Sequence, residues 1–455
     1  MSPKPKFIRE WIELVKKVKI IGGSLGGLIA AAELSNTGIK TTIVERGAAI
    51  GGLYNNVITP FGEQELGMHV IYVTNKQLSL LQEIFGHEAF NIMRGAKVDI
   101  GACADENGLY SNSLYPNYLL HSKRSEILNE IIKNVGTKKE STSALDEFIN
   151  RFGKIAATDK YIPIIEKLWK QKASELTPES IHCYYDLRRI VISNQEQAEK
   201  HKKNPILNSI IANPDQSKPI GAIHNGRVGI TFKKGIGDLT SLVRDWAKLK
   251  KISLILNARL EYQKKQLLIN NENASDKCDA CIIGVPLYGL DPSLADQMDS
   301  LELSIYYFKL SEKIGSRLPA YYILAHGTQF NVSRIVNYDS YSPQKAQDHQ
   351  SIIAAECLHK SGRRPDDKLI AAEITDILPN IKIESNFVLP KSIPVCSPSL
   401  NNKRHMDKLT KNIKNSFKDI PVYFTGMRTD TGTFFSHHTI GAAHAAALDI
   451  NEKLF

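Results

Sequence analysis

The glycines near the amino terminus have the spacing of a dinucleotide-binding turn. In the run VKIIGGSLGGLIAAAEL, Gly22, Gly23, Gly26 and Gly27 surround Ser24, between a short apolar run and an Ala-rich stretch. Gly22 permits a tight turn, a small residue at Ser24 lets the backbone approach a pyrophosphate, and Gly27 lets a helix pack closely. The N–H groups that open that helix would then face the anion.

An acidic residue follows at the distance expected for ribose binding. Glu45 ends a second apolar run, 23 positions after Gly22. A carboxylate at that place accepts hydrogen bonds from ribose hydroxyl groups. The pair Gly51 and Gly52 suits a backbone that passes close to the same cofactor. Strand, turn, helix, strand and Glu45 together predict a dinucleotide held by a doubly wound fold.

The elements that must position these residues follow from apolar periodicity. Val18 to Ile21 predict a buried parallel strand, and Asn75 to Phe85 predict a helix. Arg94 to Tyr118, rich in Gly, Asn and Ser, is expected to be irregular. Helical spacing over residues 122–195 predicts an inserted helical region, whereas alternation over 301–390 is typical of a substrate-domain sheet.

Composition narrows the class of protein. The chain has 455 residues, of which 42% are hydrophobic and 23% charged, and this indicates two or three folded domains. The formal charge of +10 favours an anionic ligand but is too diffuse to indicate nucleic acid. Six cysteines are too few for a disulfide framework, which predicts a cytoplasmic protein. No apolar run suggests an integral membrane segment, and the Lys-rich first 17 residues are interpreted as a solvated leader helix.

Three stretches resemble one superfamily of flavoproteins. Val18 to Gly52 is similar to the FAD-binding start of the superfamily that contains protoporphyrinogen oxidase, the amine oxidases, the carotene desaturases and UDP-galactopyranose mutase. Residues 276–286 resemble the strand that returns to its FAD domain, and residues 421–450 resemble the strand, glycine and helix that close over the flavin. The resemblance implies FAD as cofactor, with Glu45 on the adenosine ribose. It further implies cofactor contacts at Arg46, Leu53, Gly67, Met68, Pro286, Gly426, Thr439 and Ile440.

The predicted architecture is α/β, with a discontinuous Rossmann-type FAD-binding domain and an inserted helical and mixed-sheet substrate domain. The FAD domain is expected to comprise residues 15–75, 220–298 and 395–455. Residues 76–219 are expected to form a mainly helical insert, and 299–394 the substrate-domain sheet. The substrate is expected in the crevice between these parts, as is common for ligand sites. The chain is compatible with a homodimer.

The same resemblance suggests three catalytic candidates. Residues 65–75, ELGMHVIYVTN, combine the acidic residue and glycine of the oxidases with the histidine of the mutases, here His69. Residues 331–356 resemble the mutase segment whose arginine binds the nucleotide pyrophosphate, here Arg334. Arg428 lies in a run similar to the mutase's glycine-arginine segment near the flavin. Two other mutase positions differ, because Tyr72 replaces a second histidine and Leu53 an asparagine.

Each candidate also has a structural interpretation. Arg334 could form an ion pair, and His69 could be a core histidine with satisfied hydrogen bonds. His437 and His438 fit either a place near the flavin or a cap on the last helix. Cys278 and Cys281 form a CxxC without a second pair, so no metal site is expected.

Three functions remain open. In the first, which we favour, FAD takes a hydride from a small anionic substrate, as in an oxidoreductase. In the second, reduced flavin N5 attacks the anomeric carbon of a nucleotide sugar in a redox-neutral mutase reaction, with Arg334 and Arg428 on the diphosphate. In the third, FAD is a structural part of a non-catalytic assembly subunit.

Overall fold

The computed structural model describes residues 16–93, 101–137, 139–216, 227–233, 239–314, 321–341 and 351–454. Residues 1–15 of the basic leader lie outside these ranges, and Lys17, its last residue, begins the first strand. In chain order the strands are β1 (Lys17–Ile21), β2 (Lys40–Val44), β3 (Val57–Thr59), β4 (Gly62–Gln64), β5 (Ile71–Val73), β6 (Phe90–Met93), β7 (Gly101–Asp105), β8 (Gly108–Tyr110), β9 (Val228–Phe232), β10 (Ser253–Ile255), β11 (Leu260–Gln263), β12 (Gln266–Ile269), β13 (Glu272–Asn273), β14 (Ala280–Ile283), β15 (Ser300–Leu310), β16 (Tyr322–Ala325), β17 (Arg334–Asn337), β18 (Ser351–His359), β19 (Ile383–Val388), β20 (Ile393–Cys396) and β21 (Val422–Phe424). The helices are α1 (Leu25–Asn36), α2 (Asn75–Phe85), α3 (Arg124–Asn134), α4 (Ala144–Ala156), α5 (Ile162–Trp169), α6 (Gln195–His201), α7 (Pro205–Ile210), α8 (Leu239–Leu249), α9 (Tyr338–Tyr341), α10 (Asp367–Ile377), α11 (Leu400–Ser416) and α12 (Ser436–Leu454).

A parallel sheet in the order β10-β2-β1-β14-β21 forms the centre of the first domain. One face packs on α1, α2, α8 and α12, and the other on α11 and the small β11-β12-β13 sheet. β14 is a fully buried apolar run, and β1 is buried at Val18, Ile20 and Ile21, as expected for a sheet that is covered on both faces. The expected α/β class and Rossmann-type sheet are therefore confirmed, and both β14 and β21 return to the sheet from late in the sequence.

The second sheet has the main order β19-β15-β18-β17-β16-β7-β8, with β20 also paired to β15. The expectation of irregular structure over residues 94–118 was wrong for its central part, because β7 and β8 belong to this sheet. β7 pairs in parallel with β16, and its sequence GACAD is entirely buried. Small residues have weak intrinsic strand preference, so this pairing depends on contacts more than 200 residues away in sequence.

The helical insert packs against the end of this second sheet. Apolar side chains of α3, α4 and α5 form a core with residues 173–211 and with Leu324 and Leu358 of the sheet. The helix predicted at Asn75 to Phe85 is confirmed as α2, which begins with a capping box between Thr74 and Gln77. The described part of residues 76–219 contains the strands β6, β7 and β8 as well as helices. The predicted limits of the domains stay a prediction.

All six cysteines are buried and none forms a disulfide. Within the ranges that the structure describes, no helix combines the length and apolar character needed to cross a bilayer. The same ranges contain no cluster of three or more His, Cys, Asp or Glu side chains that could bind a metal ion.

Candidate functional site

The glycine turn after β1 has the shape of a phosphate cradle. Gly22 has φ +112°, a value that favours glycine, and its N–H donates to Val44 O at 2.7 Å. A Cβ on Gly27 would lie within 3.0 Å of Gly22 O, and one on Gly23 equally close to the Ile50 side chain. The turn therefore leaves no room for larger side chains, as the sequence predicted.

Two helix N-termini meet beside this turn. α1 begins after Ser24, whose side chain makes no capping hydrogen bond, and neither α1 nor α12 has an acidic residue in its first turn. A Cβ on Gly26 would lie 3.1 Å from Thr439 O in the first turn of α12. Ile440 is buried directly behind it. The dipoles and N–H groups of both helices thus favour negative charge at one place.

Glu45 joins the turn to the loop that follows β2. Its Oε2 accepts the Gly23 N–H at 2.8 Å and its Oε1 accepts the Gly47 N–H at 2.7 Å. An ionised carboxylate has about four acceptor sites, so two remain for other donors such as ribose hydroxyls. The carboxylate is only partly buried, next to the exposed Arg46.

The second glycine pair lies against the first. The Gly51 N–H donates to Gly23 O at 2.9 Å, and Gly51 and Gly52 both have positive φ. Leu53, in the short 3-10 turn that follows, is half exposed. Gly426 packs closely on the backbone just before Pro286. A Cβ on Gly426 would lie within 3.0 Å of Val285 O.

These residues fit FAD. A backbone cradle without competing side chains, two converging helix N-termini and a carboxylate with spare acceptor sites match a pyrophosphate and an adenosine ribose. The predicted contacts brought together here are Gly22, Gly23, Ser24, Gly26, Gly27, Glu45, Gly51, Gly52, Thr439 and Ile440. Their roles toward the cofactor stay predictions.

Replacing Glu45 with Ala should weaken FAD binding by about 1.5–3 kcal/mol, the range for losing hydrogen bonds to a charged group. Flavin occupancy measured by absorbance after dialysis tests this. Glu45→Gln is the matched control and should retain part of the affinity, because an amide oxygen still accepts one hydrogen bond. Wild-type occupancy in Glu45→Ala would contradict the ribose assignment.

His69 lies between the FAD cradle and the second sheet. The residue is buried, its Nδ1 is 3.5 Å from Glu65 Oε2, and its ring centroid is 5.0 Å from that of Tyr54. Burial raises the pKa of Tyr54 to about 12, although Ser436 at the start of α12 donates a compensating hydrogen bond. Tyr54 thus connects His69 with the start of α12, and a place of His69 near the flavin stays a prediction.

Gly67 and Met68 precede His69 and lie against the second sheet. Gly67 has φ +86°, and a Cβ there would approach Glu356 Oε1 at 2.8 Å. Met68 is partly buried against the cluster that contains Tyr307 and Tyr338. This loop is therefore the junction between the FAD cradle and the buried carboxylate of Glu356.

Arg334 forms a buried ion pair with Glu356. The two residues face each other on β17 and β18, and Arg334 Nη2 donates to both carboxylate oxygens at 2.9 and 2.7 Å. The Tyr184 hydroxyl donates to Glu356 Oε2 at 2.5 Å, and the guanidinium lies 4.9 Å from the Tyr184 ring centroid. Burial opposes the charge, but Glu356 raises the pKa of Arg334 above its usual value. The ion-pair alternative is thus what the structure shows at Arg334.

Arg428 is also engaged by carboxylates. It donates to Asp430, and at 2.9 Å to Asp407 and 3.2 Å to Thr410 on α11. Burial opposes the charge, yet the Asp430 hydrogen bond raises the pKa of Arg428. The structure therefore ties the Arg428 side chain to Asp430 and α11, and shows no contact between Arg428 and Arg334.

Aromatic and imidazole rings of the helical insert pack against rings at the start of α12. We call the five residues His182, Tyr184, Phe434, Phe435 and His438 the ring cluster. Neighbouring members have ring centroids 5.4 to 6.2 Å apart. Burial, with a smaller effect of Arg188, lowers the pKa of both His182 and His438 to about 4. Both imidazoles are consequently neutral at pH 7.

His437 and His438 lie in the first turn of α12. His437 stacks on Phe435 and meets Tyr72 edge-on, and Phe434 N–H approaches His438 Nδ1 at 3.4 Å. Both histidines thus belong to the start of the last helix, and their place near the flavin stays a prediction.

The sequence did not single out Glu356, Tyr184 or His182. Glu356 closes the segment that suggested Arg334, and an acidic residue directly opposite an arginine on the next strand is a recognisable pairing signal. Tyr184 and His182 come from an irregular stretch of the helical insert, where no periodicity marks a side chain as facing the site.

Comparisons with known proteins agree with this fold. Residues 20–85 match the family model of the NAD(P)-binding Rossmann-like domain. A structure of reduced UDP-galactopyranose mutase superposes with a TM-score of 0.66 at 13% identity, over 96% of each chain. A candidate protoporphyrinogen oxidase from Exiguobacterium sp. 255-15 has a TM-score of 0.58 at 11% identity, over 96% of this chain and 99% of its own. Putrescine oxidase bound to putrescine has a TM-score of 0.55 at 12% identity, again over 96% and 99%.

No curated protein has significant sequence similarity to this chain. The chain thus has the fold shared by these oxidases and the mutase, as its sequence motifs predicted.

Proposed function

We propose that this chain, which has the fold of the FAD-dependent oxidases and UDP-galactopyranose mutase, is an FAD-dependent oxidoreductase acting on a small substrate. Bound FAD supplies the chemistry by accepting a hydride from a substrate C–H bond. The glycine turn, Glu45 and the α12 N-terminus would hold the cofactor. The ring cluster would hold the substrate and exclude water, and His69 would orient groups at the junction between the two.

The observation that carries this proposal is the charge state of the two arginines expected to bind a diphosphate. Arg334 is neutralised by the fully buried Glu356, and Arg428 by Asp430 and Asp407. To bind a diphosphate through the N–H groups that now hold these carboxylates, either guanidinium would have to leave a buried carboxylate uncompensated, which is costly. The ring cluster beside them is uncharged, which suits hydride removal from an apolar or aromatic part of a substrate.

A redox-neutral nucleotide-sugar mutase is the second candidate. One observation favours it: Arg334 Nε is buried and has no hydrogen-bond partner among the described residues, so one donor of the guanidinium remains for an oxyanion. Under this reading, Arg334 would hold the diphosphate while staying paired with Glu356.

A flavin difference-spectrum titration separates these functions. The purified protein, oxidised and then dithionite-reduced, is titrated anaerobically with nucleotide sugars and with amine, porphyrin-like and polyene compounds. We expect a member of the second group to bleach the oxidised flavin and every nucleotide sugar to be silent. A spectral change at micromolar nucleotide sugar, strongest in the reduced protein and without net oxidation, would instead support the mutase. Tightly bound flavin that responds to no compound would favour the assembly subunit.

A further inference from the structure

Arg227 is a guanidinium near the ring cluster that no carboxylate of the described residues neutralises. Arg334 and Arg428 have carboxylate partners, and Arg188 donates to both oxygens of Asp186 at 2.7 and 2.8 Å. Arg227 is partly buried, and within the described ranges no carboxylate pairs with it. A partly buried cation loses part of its hydration, and without an ion-pair partner nothing offsets that loss. A bound anion would offset it.

The strand register places Arg227 on the side of the ring cluster. Arg227 directly precedes β9, in which Val228 pairs with Val73 and Gly229 with Tyr72 of β5. Side chains alternate along a strand, so Arg227 shares the face of Gly229 and of Tyr72.

Tyr72 connects this face of β5 and β9 with the ring cluster through His437. Its ring meets that of His437 edge-on at 6.2 Å, and the rings of His437 and His438 are 4.1 Å apart. After burial and Arg188, the charge of Arg227 is the next contribution that lowers the pKa of His438. The register and the electrostatics therefore place Arg227 near His438.

We propose that Arg227 binds an oxyanion group of the substrate, a carboxylate or a phosphate, while the rest of the substrate lies against the ring cluster. This rests on the proposed function, because it assumes that the substrate lies beside the cofactor. A guanidinium binds such groups through two parallel N–H donors. The neighbouring His182 and His438 are neutral, so the charge available for the anion is that of Arg227. The expected substrate class is an aromatic or otherwise apolar acid.

The test uses the FAD-loaded protein and three probes of one shape: benzoate, phenyl phosphate and the neutral benzamide. Flavin absorbance is followed in wild type, Arg227→Gln, Arg227→Lys and the control Arg244→Gln, which alters an exposed arginine on α8. We expect benzoate or phenyl phosphate, and not benzamide, to perturb the flavin. Losing a hydrogen bond between charged groups corresponds to about tenfold to a hundredfold weaker binding in Arg227→Gln. Arg227→Lys should be intermediate, because an ammonium group lacks the planar fork.

Flavin content and thermal unfolding are measured on every variant. In Arg227→Gln the flavin content should equal wild type and the thermal stability should be no lower, because no carboxylate of the described residues pairs with Arg227. Arg244→Gln should match wild type throughout. Equal affinity of wild type and Arg227→Gln for the anionic probes would overturn the proposal. So would equal binding of benzamide and benzoate, or silence of both anions in flavin-loaded protein. Absence of FAD from the wild-type protein would instead overturn the proposed function. A response to only one of the two anions identifies the oxyanion as carboxylate or phosphate.

Discussion

Replacing Gly27 with Ala should abolish stable FAD binding and lower the free energy of unfolding by about 3 kcal/mol, the upper range for an overpacked site. The new methyl group would lie within 3.0 Å of Gly22 O, a backbone atom that cannot rotate away. Gly22 is itself fixed by its N–H bond to Val44 O. Either α1 moves away from β1 or the turn opens, and both displace the N–H groups meant for the pyrophosphate. Urea denaturation and flavin absorbance measure the two effects.

Gly441→Ala is the matched control for this substitution. Gly441 lies in α12, close to the same site, but a Cβ there would meet nothing within 4 Å. Because alanine is the better helix former, Gly441→Ala should be neutral or stabilise by about 0.5–1 kcal/mol. Wild-type stability and full flavin occupancy in Gly27→Ala would show that the turn can adjust, and the cradle would then not need glycine at position 27.

The cofactor cradle could be predicted from sequence because its requirements are local. Gly22 needs a positive φ, Gly27 needs close packing, and Glu45 ends the adjacent parallel strand. Each of these conditions concerns one backbone position or two neighbouring strands. Residue type and spacing in the sequence are therefore enough to predict it. Helical periodicity identified α2, and the resemblance to the flavoproteins identified the two returning strands, β14 and β21.

The second sheet and the ion pair could not be predicted in the same way. The Gly, Asn and Ser residues over 94–118 suggested irregular structure, whereas β7 is a strand that pairs with the short β8 and with β16, far along the chain. The sequence singled out Arg334, yet its partner depends on the β17–β18 register, which sets Glu356 opposite it. Sequence alone therefore left the ion pair and the anion site as equal alternatives.

Replacing Arg334 with Ala should lower the free energy of unfolding by about 3–5 kcal/mol, as expected when one partner of a buried ion pair is removed. Glu356 is fully buried and would keep only the Tyr184 hydroxyl as a side-chain donor among the described contacts. Urea denaturation of the wild type and variant measures the change. Lys309→Ala is the matched control, since its ion pair with Glu384 on the same sheet is exposed and should contribute less than about 1 kcal/mol.

The double variant Arg334→Met with Glu356→Leu separates this explanation from a simple loss of packing. Removing both charges should recover most of the stability, because apolar side chains of similar volume often replace a buried pair at little cost. If the single variant Arg334→Ala kept wild-type stability and FAD but lost affinity for a diphosphate probe, Arg334 would be an anion ligand and the mutase would become the better proposal. A large loss of stability that the double variant reverses would instead establish Arg334 and Glu356 as a structural pair, and the substrate's charge would have to be met elsewhere, as proposed for Arg227.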